Sequence, residues 1–479
     1  MTVSGPLFVV SALLSLAVVL QLLRRWTGLV AWIAAAATIG VVVLVAVVPL
    51  DGTVTLGPLS VSLGQPLVLL GRQLVIQQVD RLPLMFLGAT SALLFIVAWR
   101  LLPHSNFFPA GLAAMAMLSA ALMVSQVVYA ALLIEIAALI SIFPLHEAVT
   151  TADGTTYGGS PKGGSQYMVY ASLALPGLMV TQLLLEQFAI FPSDVGLLQT
   201  ATILLGLSLA MLLGAVPFQA WLSSVAEKGA PPVVTYIFTV NLGTVWFLLL
   251  AYLESYTWLS QQASFAAIFT IVGLLMMVIG GMLAASQHGL GRMIGYATLV
   301  DNGALFVALG SRQVAGLSLT IVMLMARPVA LALMTLGLDG LRRFGRGSDH
   351  LENLASAAWV APWRTLAFVI GGVALAGFPL SLGFYARWGL YRLLAQANLF
   401  QAVLGLLGSA GVMMGLINAV RAFLVPPSEG TARLGIAEDR VVLLLIVVLI
   451  GATLGLGLFP QAASLVALQM AEGFTFFAN

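Results

Sequence analysis

Long apolar runs, each about the length of a membrane-spanning helix, recur along almost the whole chain. They extend from Gly5 to about Pro460, and only short polar stretches separate them. A helix needs about 20 mainly apolar residues to cross the hydrocarbon core of a bilayer. The pattern therefore predicts an all-α polytopic membrane protein with about fourteen spans, which lie at 5–22, 27–50, 82–100, 107–126, 127–145, 166–186, 197–224, 231–253, 263–286, 292–310, 313–339, 361–395, 398–424 and 438–460.

Two of these spans, 197–224 and 361–395, are longer than a bilayer requires and contain a proline deep inside, Pro217 and Pro379. Because proline removes a helix hydrogen bond, we expect both helices to be broken there. The breaks fall in predicted helices 7 and 12, and this odd spacing makes the two helices run in opposite directions. The spacing predicts two inverted five-helix repeats with an ion site near the midplane. Two unrelated kinks are the alternative.

The organisation that follows is one membrane domain over residues 1–479. Its predicted parts are three N-terminal helices at 1–106, a first repeat at 107–253, a second repeat at 263–424, and a last helix with an interfacial tail at 438–479.

Two stretches outside the predicted spans have their own patterns. Residues 51–64 alternate apolar and polar positions about a Gly-Pro pair, which predicts a small β-hairpin between helices 2 and 3. Residues 151–164 are rich in glycine and polar side chains, which predicts a flexible loop.

Basic residues are distributed unequally between the two sides of the membrane that this assignment defines. Loops after odd-numbered helices, with their edges, hold thirteen of the nineteen Lys and Arg residues, and loops after even-numbered helices hold four. Cytoplasmic loops carry the excess of Lys and Arg, so both termini are expected on the non-cytoplasmic side. Arg24 and Arg25 follow the first apolar segment instead of preceding it. This order predicts a retained helix and not a cleaved signal peptide.

The composition supports the membrane assignment and removes several functional classes. Of 479 residues, 61% are hydrophobic and 8% are charged, far from the balance of a soluble domain. The absence of cysteine excludes disulfides, thiolate metal sites and cysteine nucleophiles. The four histidines show no metal-ligand spacing, and no basic run suggests nucleic acid. We therefore predict no metal or other cofactor in this chain, and we expect any redox chemistry in a partner.

A few polar residues lie inside the apolar spans. A charged side chain at the centre of a bilayer costs roughly 2.5–3.5 kcal/mol unless it faces protein or water, so such residues are functional candidates. The charged candidates are Glu135, Asp301, Arg327 and Arg387, and the neutral ones are Gln166 and Asn241.

Glu135, in the segment LLIEIAALISIF, is the strongest candidate for moving a proton. A carboxyl group inside a membrane protein can take up and release a proton near neutral pH. The alternative is a structural ion pair with an arginine of another helix.

The other charges allow a wider choice of roles. Arg387 cannot release its proton and therefore predicts a fixed electrostatic or structural charge. Arg327 precedes Pro328, and either caps the carbonyl that the proline frees or contributes to a path. Asp301 either lies at a solvated helix end or belongs to the same path.

Four segments resemble the motifs of a known family. VPFQAWL and GAPPVV, at 216–222 and 229–234, are similar to VPFHxWL and GAPTPV, and QHGLGRMIGYATLVDNG, at 287–303, is similar to QxDLKRxLAYSSIxHxG. LAGFPLSLGFYARW, at 375–388, is similar to LAGIPxTxGFxxK. The chain therefore resembles, over essentially its whole length, the antiporter-like membrane subunits of respiratory complex I, membrane-bound hydrogenases and multisubunit sodium/proton antiporters.

The resemblance implies a proton path with a glutamate on helix 5 and titratable residues on helices 7, 8 and 12. Glu135 stands at the helix-5 position. The other positions depart from the family pattern: Leu212 at the helix-7 lysine, Asn241 near the helix-8 position, Arg387 at helix 12, Asp301 for a helix-10 histidine and Gly291 for a lysine.

These departures predict an antiporter-like scaffold whose proton path is weakened or lost, because Leu212 cannot carry a proton and Arg387 does not release one. A path rerouted through other residues is the alternative. The implied function is that of a subunit, without a catalytic site of its own, in a complex I-like or hydrogenase-like oxidoreductase that couples electron transport to proton transport. The implied partners are further antiporter-like subunits and a peripheral redox arm, in a bacterial cytoplasmic membrane.

Three other functions fit the same features. One is the membrane half of a two-component inorganic-carbon uptake system, another is a stand-alone ion/proton antiporter, and the last is a structural spacer between active subunits.

Overall fold

A computed structural model of the protein describes residues 2–56, 59–69, 72–150, 154, 156–191, 194–427 and 439–477. The prediction of an all-α polytopic protein is confirmed. Twelve of the described helices are long and apolar enough to cross a membrane, or up to thirteen if one bent pair counts as a single span. The helices are α1 (Gly5–Leu22), α2 (Thr27–Val47), α3 (Arg81–Ala98), α4 (Phe107–Met123), α5 (Val127–His146), α6 (Pro161–Ile190), α7 (Val195–Leu213), α8 (Ala220–Lys228), α9 (Pro231–Tyr236), α10 (Leu242–Ser255), α11 (Thr257–Gln261), α12 (Ala263–Ala285), α13 (Leu290–Gly310), α14 (Val314–Phe344), α15 (Ala357–Val360), α16 (Pro362–Ala376), α17 (Leu382–Ala397), α18 (Leu399–Phe423), α19 (Arg440–Leu458) and α20 (Gln461–Glu472).

The fourteen predicted spans correspond to helices of unequal length. Span 107–126 contains the 17-residue helix α4, and span 361–395 is divided between α16 and α17, with 15 and 16 residues. Helix α6 has 30 residues and exceeds the predicted span 166–186 at both ends. Residue 438, the first of the last predicted span, lies outside the described residues.

Three helical segments form the core of the protein. Helices α9 and α10 are joined by the π-helical turn Ile237–Asn241. Helix α14 packs against α9, and α13 contacts α10 where Asn302 and Phe306 meet Trp246. Every residue from Pro231 to Leu250 is buried. Helices that are apolar all round are buried or face lipid, and α7 and α19 expose rows of large apolar side chains at the periphery.

Helices α7 and α16 end in the same way. Gly214 follows α7 and Gly377 follows α16, and both glycines have the left-handed conformation, with φ of 64° and 75°. Only glycine adopts this conformation at little cost, and a Cβ at Gly377 would also collide with Arg387. Pro217 and Pro379 follow within three residues and cannot continue a helix. Each break therefore lies at a glycine followed by a proline.

Short strands cover parts of the helix ends. Strand β2 (Thr53–Leu56) pairs antiparallel with β3 (Leu59–Ser62), and β1 (Thr2–Ser4) adds to β3 in parallel. The predicted Gly-Pro turn at 57–58 lies outside the described residues. Strands β4 (Leu67–Leu69) and β5 (Arg72–Leu74) form a second hairpin.

The prediction of a flexible loop at 151–164 is wrong for the part that the structure describes. Strand β6 (Ala148–Thr150) pairs antiparallel with β7 (Thr156–Gly158), and α6 already begins at Pro161. Residues 151–153 and 155 lie outside the described residues. The buried side chain of Tyr157 explains the order of this segment, because it anchors β7 to α14.

Candidate functional site at the two helix breaks

Asp301 lies at the centre of a buried ionic cluster near the second break. Its Oδ2 accepts a hydrogen bond of 2.6 Å from Nε of Arg327, and its Oδ1 accepts one of 2.8 Å from Nη2 of Arg387. The side chains of both arginines are 1% exposed. Asp301 is only 4% exposed, so the structure excludes the alternative of a solvated helix end. We call Asp301, Arg327 and Arg387 the central triad.

Asn302 connects the central triad to the first break. Its Nδ2 donates a 2.9 Å hydrogen bond to the carbonyl oxygen of Leu213, the last residue of α7. Its Oδ1 accepts hydrogen bonds from Nη2 of Arg327 at 2.8 Å and from the indole of Trp246 at 3.3 Å. The last carbonyls of a helix have no partner within it, so Asn302 satisfies one that the break leaves open. The adjacent residues Asp301 and Asn302 thus link both breaks.

The surroundings of the first break are neutral. Asn241, at the end of the π-helical turn, donates 3.0 Å hydrogen bonds to the hydroxyls of Ser141 and Tyr167. The ring of Tyr167 packs against Trp221, whose indole donates to the carbonyl of Met211 in the last turn of α7. An apolar cavity of about 410 Å³ beside the break is lined by residues that include Leu209, Val216, Pro217, Phe218 and Phe306.

Glu135 lies apart from both clusters. It is half-buried on α5, and the structure gives it neither an ion pair nor a hydrogen bond with any described residue. Gln166 is also half-buried, and its Oε1 has no described partner. The structure therefore places neither Glu135 nor Gln166 in the central triad or in the cluster around Asn241.

The structure contains a second ionic cluster that the sequence analysis did not identify. Asp339 is buried in α14 and pairs with Arg343 at 3.1 Å and Arg364 at 3.5 Å. The hydroxyl of Tyr157 donates to the same carboxylate. Burial and the nearby Asp339 carboxylate raise the pKa of the Tyr157 phenol above its usual range. The spacing of Asp339 and Arg343, four residues apart on one helix, was the available signal.

A third pair holds α8 against α13 and α14. Nη2 of Arg342 lies 2.7 Å from Oδ2 of Asp349 and also donates to the carbonyl of Glu227, while Nη1 donates to the carbonyl of Gly229. The same Asp349 oxygen accepts from the backbone N–H of Gly291. A Cβ at Gly291 would approach this Arg342 and Asp349 pair too closely, so the local structure requires the small residue there.

These contacts decide what the site can do chemically. The central triad joins one carboxylate to two arginines that keep their protons at physiological pH. Leu212 is buried near the first break and offers no titratable group. No group of three metal-ligating side chains is close enough together in the described part of the chain to hold a metal ion. The arrangement fixes two broken helices through charge and hydrogen bonds.

The family described as "NADH:quinone oxidoreductase/Mrp antiporter, TM" matches residues 164–415, which include both breaks and the central triad. The chain belongs to this family. The match confirms the resemblance that the four segments carry, and it covers slightly more than half of the chain.

Curated relatives are called NADH-quinone oxidoreductase subunit N. The protein of Methylovorus glucosotrophus is 30% identical over 280 residues, which cover 56% of this chain and 55% of the relative. The protein of Methylococcus capsulatus is 25% identical over 253 residues, which cover 52% and 51%. The chain therefore spans about half the length of the curated relatives it matches.

Solved structures match the fold over almost the whole chain. A chain of the Mrp complex from Dietzia sp. DQ12-45-1b has a TM-score of 0.79 at 16% identity, with 98% of this chain and 96% of the other covered. A chain of respiratory complex I from Thermus thermophilus has a TM-score of 0.77 at 16% identity, with 98% and 100% covered. These matches establish the antiporter-like fold of this protein.

Proposed function

We propose that this chain is an antiporter-like membrane subunit of a complex I-like, proton-translocating oxidoreductase, and that proton conduction through its own centre is weakened or lost. The family match and the names of the curated relatives support the first part. One observation carries the second part. At the second break, where the family resemblance implies an exchangeable proton carrier, Arg387 is held by Asp301 in a buried ion pair.

The physical argument concerns the proton affinity of arginine. A relay residue must bind a proton in one step and release it in the next, and a guanidinium does not release its proton in proteins. The ion pair with Asp301 favours the charged form further. At the first break, Asn241, Ser141 and Tyr167 are neutral at physiological pH, and Leu212 cannot bind a proton at all. The groups named at the first break therefore offer no carrier that changes its charge, and at the second break Arg387 stands fixed at the position of the expected carrier.

Glu135 supports the proposed partnership with other subunits. A half-exposed carboxylate in a spanning helix is costly against lipid and is normally paired or hydrated. Contact with a neighbouring membrane subunit would cover α5 and give Glu135 a partner. We propose that this face of α5 meets a further antiporter-like subunit and that a peripheral redox arm supplies the electron transport.

Orientation and internal symmetry are part of the same proposal. We propose that the protein lies in a bacterial cytoplasmic membrane with both termini on the non-cytoplasmic side, which the unequal distribution of Lys and Arg supports. We also propose that 107–253 and 263–424 are inverted repeats, which the equivalent ends of α7 and α16 support. Because the chain has no cysteine, single cysteines at Thr53, which is exposed in β2, and at Ser348 test the orientation by labelling with an impermeant maleimide. The proposal requires that only Ser348→Cys is labelled from the cytoplasmic side.

Purification from native membranes tests the assignment to a complex. Oxidoreductase subunits should co-purify with the full chain in mild detergent. Isolation alone, or with a single zinc-binding protein, would contradict the complex and favour a stand-alone antiporter or an inorganic-carbon system.

The ratio of protons moved to electrons transferred tests the weakened path in the purified assembly. Arg387→Met should leave this ratio unchanged if no protons pass the second break. Arg364→Met is the matched control, because it also removes a buried arginine paired with a carboxylate. A fall in the ratio for Arg387→Met alone would show that the triad belongs to a working path.

A further inference from the structure

The charges of the central triad do not balance. One carboxylate, Asp301, faces two guanidinium groups, those of Arg327 and Arg387, so the triad carries a net charge of +1. Among the described residues, no other carboxylate lies within 4 Å of either guanidinium. An uncompensated charge away from water is costly, and it is costlier still within a membrane domain.

The same two arginines have donors without a partner. Nη1 of Arg327 and Nη1 of Arg387 are both buried, and neither has a hydrogen-bond acceptor among the residues that the structure describes. The remaining groups of Arg327 donate to Asp301 and Asn302 and not to the carbonyl freed by Pro328, so of the two alternatives for Arg327 the structure does not show the cap. Buried donors on charged groups are normally satisfied.

Surplus positive charge and unpaired N–H donors require the same complement, namely a negatively charged acceptor. We propose that the central triad binds one small monovalent anion of the chloride type against the guanidinium groups of Arg327 and Arg387. A monovalent anion neutralises the surplus charge of the triad. A dianion would leave the site with a net negative charge and would be harder to remove from water.

The bound anion would stabilise the folded protein at its centre. Asp301 holds Arg387 in the second turn of α17, and Asn302 holds the last carbonyl of α7, so an anion that neutralises the triad stabilises the helices beside both breaks. A ligand that binds only the folded state raises its stability with concentration. The site differs from a proton path because the anion would be a resident ligand whose binding needs no transfer of protons.

Equilibrium dialysis with radiolabelled chloride tests the proposal on the full purified chain, with gluconate keeping the ionic strength constant. The wild type should bind chloride saturably, with about one ion per chain, and its melting temperature should rise over the same concentration range. Arg387→Met removes the surplus charge and should weaken chloride binding at least tenfold. Arg387→Lys keeps the charge and should retain binding.

Arg364→Met is the control, since it removes a buried arginine from the separate cluster at Asp339 and should leave chloride binding unchanged. The wild-type measurement needs no variant to fold. Absence of saturable binding in the wild type, or equal binding by wild type and Arg387→Met, would overturn the proposal and leave the Nη1 groups to water.

Discussion

The two helix breaks of this protein have the same backbone conformation but different electrostatic surroundings. Gly214 ends α7 and Gly377 ends α16 in the left-handed conformation, and each is followed by a proline. Beside the first break lie the neutral groups of Asn241 and an apolar cavity, whereas the second break faces Asp301 with its two arginines. The bend of the chain is therefore a local property of glycine and proline.

The charge beside a break depends on other helices. Asp301 comes from α13 and Arg327 from α14, and only Arg387 belongs to the broken pair itself. A family member can consequently keep both breaks while its titratable groups change. The backbone of a break and the charge beside it therefore have separate origins. We expect the charged contacts beside the second break to contribute more to stability than the neutral contacts beside the first.

The largest effect is expected for Asp301→Asn, which removes the only described carboxylate that pairs with two buried guanidiniums. Breaking a buried ion pair from one side costs about 3–5 kcal/mol, because the remaining charge has no partner. The free energy of unfolding, measured by detergent titration with tryptophan fluorescence, should fall by this amount.

Arg387→Met provides the comparison for Asp301→Asn. It leaves one carboxylate with one guanidinium and should therefore be less destabilising than Asp301→Asn. If the two variants lost equal free energy of unfolding, uncompensated charge would not be the main determinant of stability at the second break.

A smaller loss in the free energy of unfolding is expected for Asn302→Leu, which removes the hydrogen bonds that connect the two breaks. The carbonyl of Leu213 and the indole of Trp246 would lose their hydrogen-bond partner, while Arg327 keeps Asp301. Unsatisfied buried groups cost about 1–3 kcal/mol each, so a total of about 2–4 kcal/mol is expected. A double-mutant cycle with Arg387→Met measures whether the breaks are coupled, and strictly additive losses would show that they are independent.

Asn241→Leu tests the contribution of the neutral hydrogen bonds beside the first break. The substitution removes two hydrogen bonds between neutral groups and leaves the Ser141 and Tyr167 hydroxyls without a donor. We expect a loss of about 1–2 kcal/mol in the free energy of unfolding. Asn241→Gln, which keeps an amide, is the control for loss of polarity. A loss as large as that of Asp301→Asn would remove the distinction between the two breaks.

Sequence reasoning predicted the helices and their breaks well because those signals are local. Apolar runs fix the helices, and Pro217 and Pro379 interrupt them without help from the rest of the fold. The central residues Asp301, Arg327 and Arg387 were recognised individually because charge is rare in apolar spans. Their meeting around one carboxylate could not be read from the sequence, since it joins α13, α14 and α17.

The errors came from effects that depend on packing. The separation of Glu135 from both clusters could not be predicted, because the side of α5 that faces the protein cannot be identified when the whole helix is apolar. The polar composition of 151–164 predicted a loop, although Tyr157 is buried against Asp339 in another part of the chain. Asp339 is the last residue of the predicted span 313–339, so the sequence alone does not distinguish it from a residue outside the membrane.

The smallest effect is expected for Tyr157→Phe, which changes a charged cluster away from both breaks. The variant loses one hydrogen bond, while Arg343 and Arg364 still pair with Asp339, so we expect a loss of about 0.5–1.5 kcal/mol. Burial and Asp339 raise the pKa of Tyr157 in the folded state above its usual value. The wild type should therefore lose stability as pH rises above about 10, where the unfolded tyrosine ionises first. Tyr157→Phe should lack this part of the pH dependence, and identical alkaline profiles would show that Tyr157 is not held neutral by the cluster.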